Sequence, residues 1–270
     1  MKAYLHPLWV WLIVALFILP IVWMFGTAFK PPGEILNAGA NLLPRQISFA
    51  SFKAIWQGDL PMLVGNTLFV SLASTAVSVM AGVLAAYALV RYRFPARLDM
   101  LFLLAVLVIK MMPPIVVAIP LYSLMNQLGL LDTRLGLVLV YQVYTLPFCI
   151  WMLLGFVRDI PAEIEEAAAM DGARLSKRLA LIVLPLCAPG LVATAIFAMI
   201  LGWNEFLFSL LFLHSPDKLT LPLFISNFVT EDGTVWGQLM ATGIVSSLPM
   251  LALASYMQRY LLRGFSMGLK

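Results

Sequence analysis

Residues 161–189 read PAEIEEAAAMDGARLSKRLALIVLPLCAP, and the placing of every other stretch depends on them. Glu163, Glu165 and Glu166 open the stretch, and Arg174, Lys177 and Arg178 close its charged part. Gly172 stands between two short helical runs. Acid early and base late suit helix dipoles in water, whereas each such charge is expensive in hydrocarbon. The stretch is therefore a structured aqueous connection between two membrane spans.

Composition supports that reading. Of 270 residues, 62% are hydrophobic and 11% charged, against about 25% charged in soluble domains. A soluble helical domain is excluded. Several uncharged windows reach the roughly 20 residues that cross a bilayer as helix. A β-barrel would instead alternate polar and apolar residues in strands of about 10. The net charge of +4 does not indicate nucleic acid, because the basic residues fall in short loops between apolar runs. Cys149 and Cys187 show no pairing pattern and read as free thiols used as small apolar residues. His6 and His214 stand alone, so no metal site is expected. The run Trp9–Phe25 follows Lys2 and His6 without a small-residue cleavage pattern and reads as a retained anchor.

Six spans are predicted: Trp9–Phe29, Pro61–Val90, Asp99–Ile119, Leu135–Val157, Leu184–Leu201 and Gln238–Met257. Residues 30–60 form a loop containing a short amphipathic piece, Phe49–Trp56. The second span is rich in Ala, Ser, Thr and Gly, which permit close helix contact in lipid. It is either an ordinary buried bundle helix or one that lines a moving interface. The third is interrupted by Lys110 and by Pro113-Pro114, and adjacent prolines kink or unwind a helix. Discontinuous spans are a common place for transport sites. Lys110 pairs with an acid, faces water or snorkels. Residues 122–134 read as a loop or interfacial helix. Glu205 follows 26 uncharged residues and precedes 11 more, so it lies deep in the membrane or at a break in a long span.

The distribution of Lys and Arg sets the orientation. With the N-terminus inside, eleven basic residues face the cytoplasm (Lys2, Arg91, Arg93, Arg97, Arg158, Arg174, Lys177, Arg178, Arg259, Arg263 and Lys270). Five lie outside: Lys30, Arg45, Lys53, Arg134 and Lys218. Both termini and the organising stretch are then cytoplasmic. There, Ala167, Ala168 and Ala169 give the first short helix a smooth face that another protein can approach. Gly172 can adopt a turn that other residues resist. No GxxxxGK[ST] pattern occurs and no nucleophile–base–acid arrangement stands out. No catalytic residue is assigned, the chain is not read as an enzyme, and any ATP must be used by a separate subunit.

The segment carries Glu166-Ala167-Ala168, Asp171-Gly172-Ala173, then Ile182, Leu184 and Pro185, in register across twenty consecutive positions. With the stretches 111–141, 146–168 and WNEFLFSLLFL at 203–213, it resembles the inner-membrane permease subunits of binding-protein-dependent ABC importers. The likeness is to their carbohydrate-uptake branch, which includes the maltose transporter's shorter permease. It implies an all-α polytopic membrane protein of six transmembrane helices, with a cytoplasmic coupling-helix loop between helices 4 and 5. Residues 1–60 then form an N-terminal transmembrane helix and external loop. Residues 61–270 form a five-helix permease core with its coupling loop at about 158–183. The setting is the cytoplasmic (inner) membrane of a bacterium or archaeon.

The resemblance also implies partners. Glu166, Ala167, Ala168, Asp171, Gly172, Ala173, Leu179 and Pro185 would couple to one of two ATPase subunits, which hold ATP and magnesium; this chain binds no cofactor. The tail RGFSMGLK (263–270) would reach toward the same subunits. A second, homologous permease would complete a central pathway fed by an external solute-binding protein. The solute would be a sugar, oligosaccharide or polyol. Candidates for its path or gate are Lys110, Pro113, Pro114, Tyr122, Asn126, Tyr141, Gln142, Asn204 and Glu205. Two departures stand out. Leu179 replaces the aromatic that usually sits in the ATPase pocket, and Lys110 stands where relatives have an uncharged residue. The alternatives are an ABC importer for a non-sugar solute, or an ion-coupled secondary transporter. The latter should show repeated halves or several mid-membrane charges, and residues 9–119 and 135–257 show no repeat.

Overall fold

The computed structural model describes residues 2–37, 41–230 and 233–267, with side-chain burial described for 9–35, 41–230 and 233–257. The sequence-predicted tail at 263–270 lies outside the residues whose side chains are described. In chain order the helices are α1 (Lys2–Ala28), α2 (Pro32–Asn37), α3 (Ala50–Gln57), α4 (Leu60–Arg91), α5 (Leu98–Met111), α6 (Pro114–Gln127) and α7 (Arg134–Arg158). Then come α8 (Ala162–Met170), α9 (Leu175–Arg178), a π turn at Leu179–Val183, α10 (Leu184–Leu186), α11 (Ala188–Trp203), α12 (Leu207–Phe212) and α13 (Leu221–Ser226). A two-residue antiparallel pair, β1 (Val229–Thr230) and β2 (Gly233–Thr234), precedes α14 (Trp236–Met267).

Four segments are long and apolar enough to cross a bilayer: Trp9–Ala28, Leu60–Arg91, Arg134–Arg158 and Trp236–Met257. Two bent pairs also qualify if each counts as one span, which gives four to six among the described residues. The first pair, Pro95–Met111 with Pro114–Gln127, turns through 102°. Met112 and Pro113 are extended there, because Pro114 disfavours helical backbone at its predecessor and neither proline can donate a backbone bond. The second pair, Leu175–Leu186 with Ala188–Trp203, bends by 75° between Pro185 and Pro189.

Two boundaries differ from the sequence expectation. The helix α6 runs on past the expected span end at Ile119 to Gln127, the helical of the two readings of this stretch, since nothing breaks it until Gly129. Gly129 takes φ +66, and Leu130 N–H bonds back to Met125 O at 2.8 Å. The second of the two short helical runs about Gly172 does not stop where the charged part ends. It runs through the π turn into α10, and the following helix begins at Ala188 rather than Leu184.

The chain forms two compact units. The first comprises residues 1–64 and 223–251. Here α1 is apolar on all faces and almost wholly exposed from Trp9 to Phe25, which suits a helix whose solvent is lipid. Its end is tied to the following loop by Phe29, which lies 5.4 Å from Phe49 and 4.8 Å from Phe52 between ring centroids. Trp23 meets Trp236 edge-on at 5.9 Å.

The second unit comprises residues 65–222 and 252–270. Its central helix is α7, with 56% of the span buried against 11% for α1. Cys149, Leu153 and Val157 pack with Val83 and Ala86 of α4 and Ala198 of α11 in one core. Leu137 and Tyr141 pack with Val70, Met125, Phe208 and Phe212 in another. At Gly82 a Cβ would stand 2.8 Å from that of Cys149, so only glycine lets α4 approach α7 this closely. Hydroxyl and amide groups join the same helices. Ser78 Oγ donates to Gln142 Oε1 at 2.6 Å, and Gln142 Nε2 donates to Ser74 Oγ at 3.1 Å. Between spans in lipid, small residues and such bonds replace the missing hydrophobic drive.

Candidate functional site

The organising segment starts at Pro161 and gives α8 its acidic first turn. Consecutive residues on a helix point about 100° apart, and Glu165 and Glu166 accordingly take opposite roles. Glu165 is buried, 3% exposed. It accepts bonds from Tyr87 Oη and Arg91 Nε, both at 2.7 Å, while Arg91 Nη2 donates to Ile160 O at 2.8 Å. Thus α8 is fastened to the end of α4 by a hydrogen-bonded ion pair. Glu166 and Ala167 face outward, as does the whole turn at Asp171-Gly172.

Gly172 ends α8. Its φ is +78, its N–H bonds to Ala169 O at 3.0 Å, and Ala173 N–H bonds to Ala168 O at 2.9 Å. This is the glycine-closed helix end of a Schellman motif. A Cβ at Gly172 would meet nothing within 4 Å, so the turn is left-handed and unobstructed. Beside it Met170 is 90% exposed. Ala168 and Ala173 are half-buried, and Pro185 is exposed on α10. Leu179 does not project from this knob: it is half-buried and packs against the core around Cys149.

A cavity of about 630 Å³ lies within the second unit at the ends of α5 and α11. It gathers Lys110, Tyr141, Asn204 and Glu205 from the sequence candidates and adds Tyr144, Phe148 and Phe197 as aromatic walls. The Lys110 ammonium lies 5.3 Å from the Phe148 ring centroid, within cation–π range. Glu205 closes the first turn of α12, accepting from Phe208 N–H at 2.9 Å and Ser209 N–H at 3.2 Å. Asn204 Nδ2 donates to Ile200 O at 2.8 Å. Tyr141 is buried, its hydroxyl 2.8 Å from Ser209 Oγ.

The remaining candidates stand elsewhere. Pro113 and Pro114 form the α5–α6 break. Tyr122 lies edge-on to Phe212 at 5.7 Å, and Asn126 is exposed near the end of α6. Gln142 is turned into α4, with its polar atoms bonded to Ser74, Ser78 and Val138. Sequence reasoning did not bring Glu165, Tyr87 and Arg91 together, because nothing in the paired glutamates marks which of them is buried. It also passed over Tyr144 and Phe148, one helical turn apart on α7. No group of three or more His, Cys, Asp or Glu suited to a metal occurs among the described residues.

A second polar cluster holds the loop before α7. Asp132, at φ +53, accepts from His214 N–H at 2.9 Å, Ser215 N–H at 3.0 Å, the Ser215 hydroxyl and Lys218 Nζ at 2.9 Å. Thr133 caps α7 by accepting Gly136 N–H at 2.9 Å. These bonds fix residues 128–133 against 213–218.

Residues 78–267 match the family of binding-protein-dependent transport system inner membrane components. The chain is 35% identical over 252 residues to the diacetylchitobiose uptake system permease protein DasC of Streptomyces coelicolor, covering 93% of this chain and 91% of that one. It is 34% identical over 262 residues to the trehalose transport system permease protein SugB of Mycobacterium tuberculosis, covering 95% and 93%. In fold it is similar to a chain of a bacterial ABC transporter that imports the acidic polysaccharide alginate. That match has a TM-score of 0.83, 21% identity and 96% coverage of both chains. The helical architecture, the glycine-closed turn after α8 and these matches lead to one conclusion: this chain belongs to the inner-membrane permease components of binding-protein-dependent ABC transport systems.

Proposed function

We propose that this chain is one of two homologous permease subunits that carry a sugar, oligosaccharide or polyol from an external solute-binding protein into the cytoplasm. The work is done by ATP and magnesium on two partner ATPase subunits. The observation that carries the reading is the exposed end of α8. A helix that stops in a left-handed glycine turn, with Glu166, Ala167 and Met170 outward, is a small rigid knob with room for a partner. Met170, rather than Leu179, is the large apolar group it presents.

The knob has two links to the spans. Glu165 joins it to α4 through Tyr87 and Arg91. In the other direction the chain continues through α9 and the π turn to the bend before α11. Closure of the ATPases would move the knob and both links together, and the spans would open alternately to either side. The cavity between α5, α7 and α11 is the proposed solute path. Aromatic faces such as Tyr144 and Phe148 suit sugar rings, and Asn204 suits hydroxyl groups. Binding favours one state only to the extent that its affinity differs between states, so a weak site suffices.

Two measurements test this. Gly172→Glu should leave the protein in the membrane but abolish uptake and binding-protein-stimulated ATP hydrolysis in reconstituted vesicles. Normal stimulation would remove the docking role. A thermal-shift screen of the cognate binding protein, followed by uptake of the hit, should return a sugar or polyol. A hit of another class would move the chain to an importer of non-sugar solutes.

A further inference from the structure

The cavity holds one basic group, Lys110, and one acidic group, Glu205. Lys110 closes α5, and no ion pair joins it among the described residues. Its ammonium lies over the Phe148 ring, and the nearby walls, Tyr144 and Phe197, are aromatic. The other charge in the cavity is Glu205, and it is already engaged. Both of its carboxylate oxygens accept backbone N–H groups from Phe208 and Ser209, so its charge is held at the start of α12. Lys110 is itself exposed, so an anion can reach its ammonium, and a hydrogen bond between two charged groups is stronger than one between neutral groups. A ring face supplies only part of that stabilisation.

We propose that Lys110 makes this cavity selective for an acidic sugar, a glycoside bearing a carboxylate or sulfonate. The anion meets the ammonium, the sugar ring lies against Tyr144 or Phe148, and hydroxyl groups reach Asn204. This deepens the sugar-import reading and rests on it. A cation in the last turn of α5 also suits the helix dipole. That role is independent of the solute's charge, which makes the two separable.

The test uses the assembled importer with its binding protein in vesicles. It compares uptake of uronate-containing and sulfonated disaccharides with neutral disaccharides of the same size. Wild type should favour an acidic disaccharide. Lys110→Met and Lys110→Gln should each lower the acidic-to-neutral ratio about tenfold or more, the scale of one charge-assisted hydrogen bond. Lys110→Arg should retain the ratio. Because the binding protein is the same throughout, the change in ratio belongs to Lys110, and two neutral variants guard against a packing defect in one. A neutral disaccharide carried as fast as an acidic one, or a ratio unchanged in both neutral variants, overturns the assignment and leaves sugar import standing. If no sugar is carried and a non-sugar solute is, both fall together.

Discussion

Asp132 shows how much one residue can fix. It adopts a left-handed backbone that few side chains other than glycine, asparagine and aspartate tolerate. Burial raises the pKa of its carboxyl group, but the donors from Ser215, His214 and Lys218 outweigh that and hold it well below the usual carboxylate range. The folded state therefore favours the ionised form. Its stabilisation is fully present above the unfolded value near 3.9 and is lost as pH falls through the lower folded value. Asp132→Asn keeps the backbone preference and removes the charge. It should lower stability by about 1–3 kcal/mol at neutral pH, and the gap to wild type should narrow below about pH 4. Scanning fluorimetry on the intrinsic tryptophans reads this directly. A pH-independent gap would show that the charge contributes nothing.

Among the elements, the joint between α4 and α8 is the one to break. Arg91 and Glu165 are mostly buried and have definite geometry, so removing either leaves a charge without its partner. Arg91→Ala and Glu165→Ala should each cost about 3 kcal/mol, and the double variant should cost clearly less than the sum. A thermal-unfolding cycle measures the coupling, and additive losses would mean the contact carries no energy of its own. If the joint also carries motion, both single variants should uncouple uptake from ATP hydrolysis more than their stability loss explains. The turn at Gly172 and the bend at Pro113-Pro114 were legible as breaks, because proline and glycine act through their own backbone; the bend between Pro185 and Pro189 was read as part of one span. The length of α6 was less legible, since apolar residues near a helix end give no stop signal until a glycine such as Gly129 arrives.

For the molecule as a whole, the testable property is direction across the membrane. Eleven Lys and Arg residues against five predict that α8, α9 and both termini face the cytoplasm. A membrane-impermeant maleimide should therefore label Lys53→Cys in intact cells, and label Lys177→Cys only after the membrane is opened. The native thiols, Cys149 and Cys187, are buried and give little background. Labelling of Lys177→Cys from outside would overturn the orientation and with it the docking of an internal ATPase.

The amino-acid sequence alone determined that the chain is a helical membrane protein, where four of its spans run, and where its charged connection turns back. Each follows from a local sum: transfer of about 20 residues into hydrocarbon, or the backbone preference of one glycine or proline. Which side of each helix meets which neighbour was decided only by the tertiary structure. Glu165 turned inward beside an exposed Glu166, Gln142 was absorbed by α4, Leu179 joined the core instead of the knob, and Phe148 came to lie under Lys110. The reason is that a span in lipid is apolar toward its surroundings as well as toward its neighbours, so hydrophobic periodicity does not mark its buried face. The choice falls to close packing and to the few polar groups that must find one another across it.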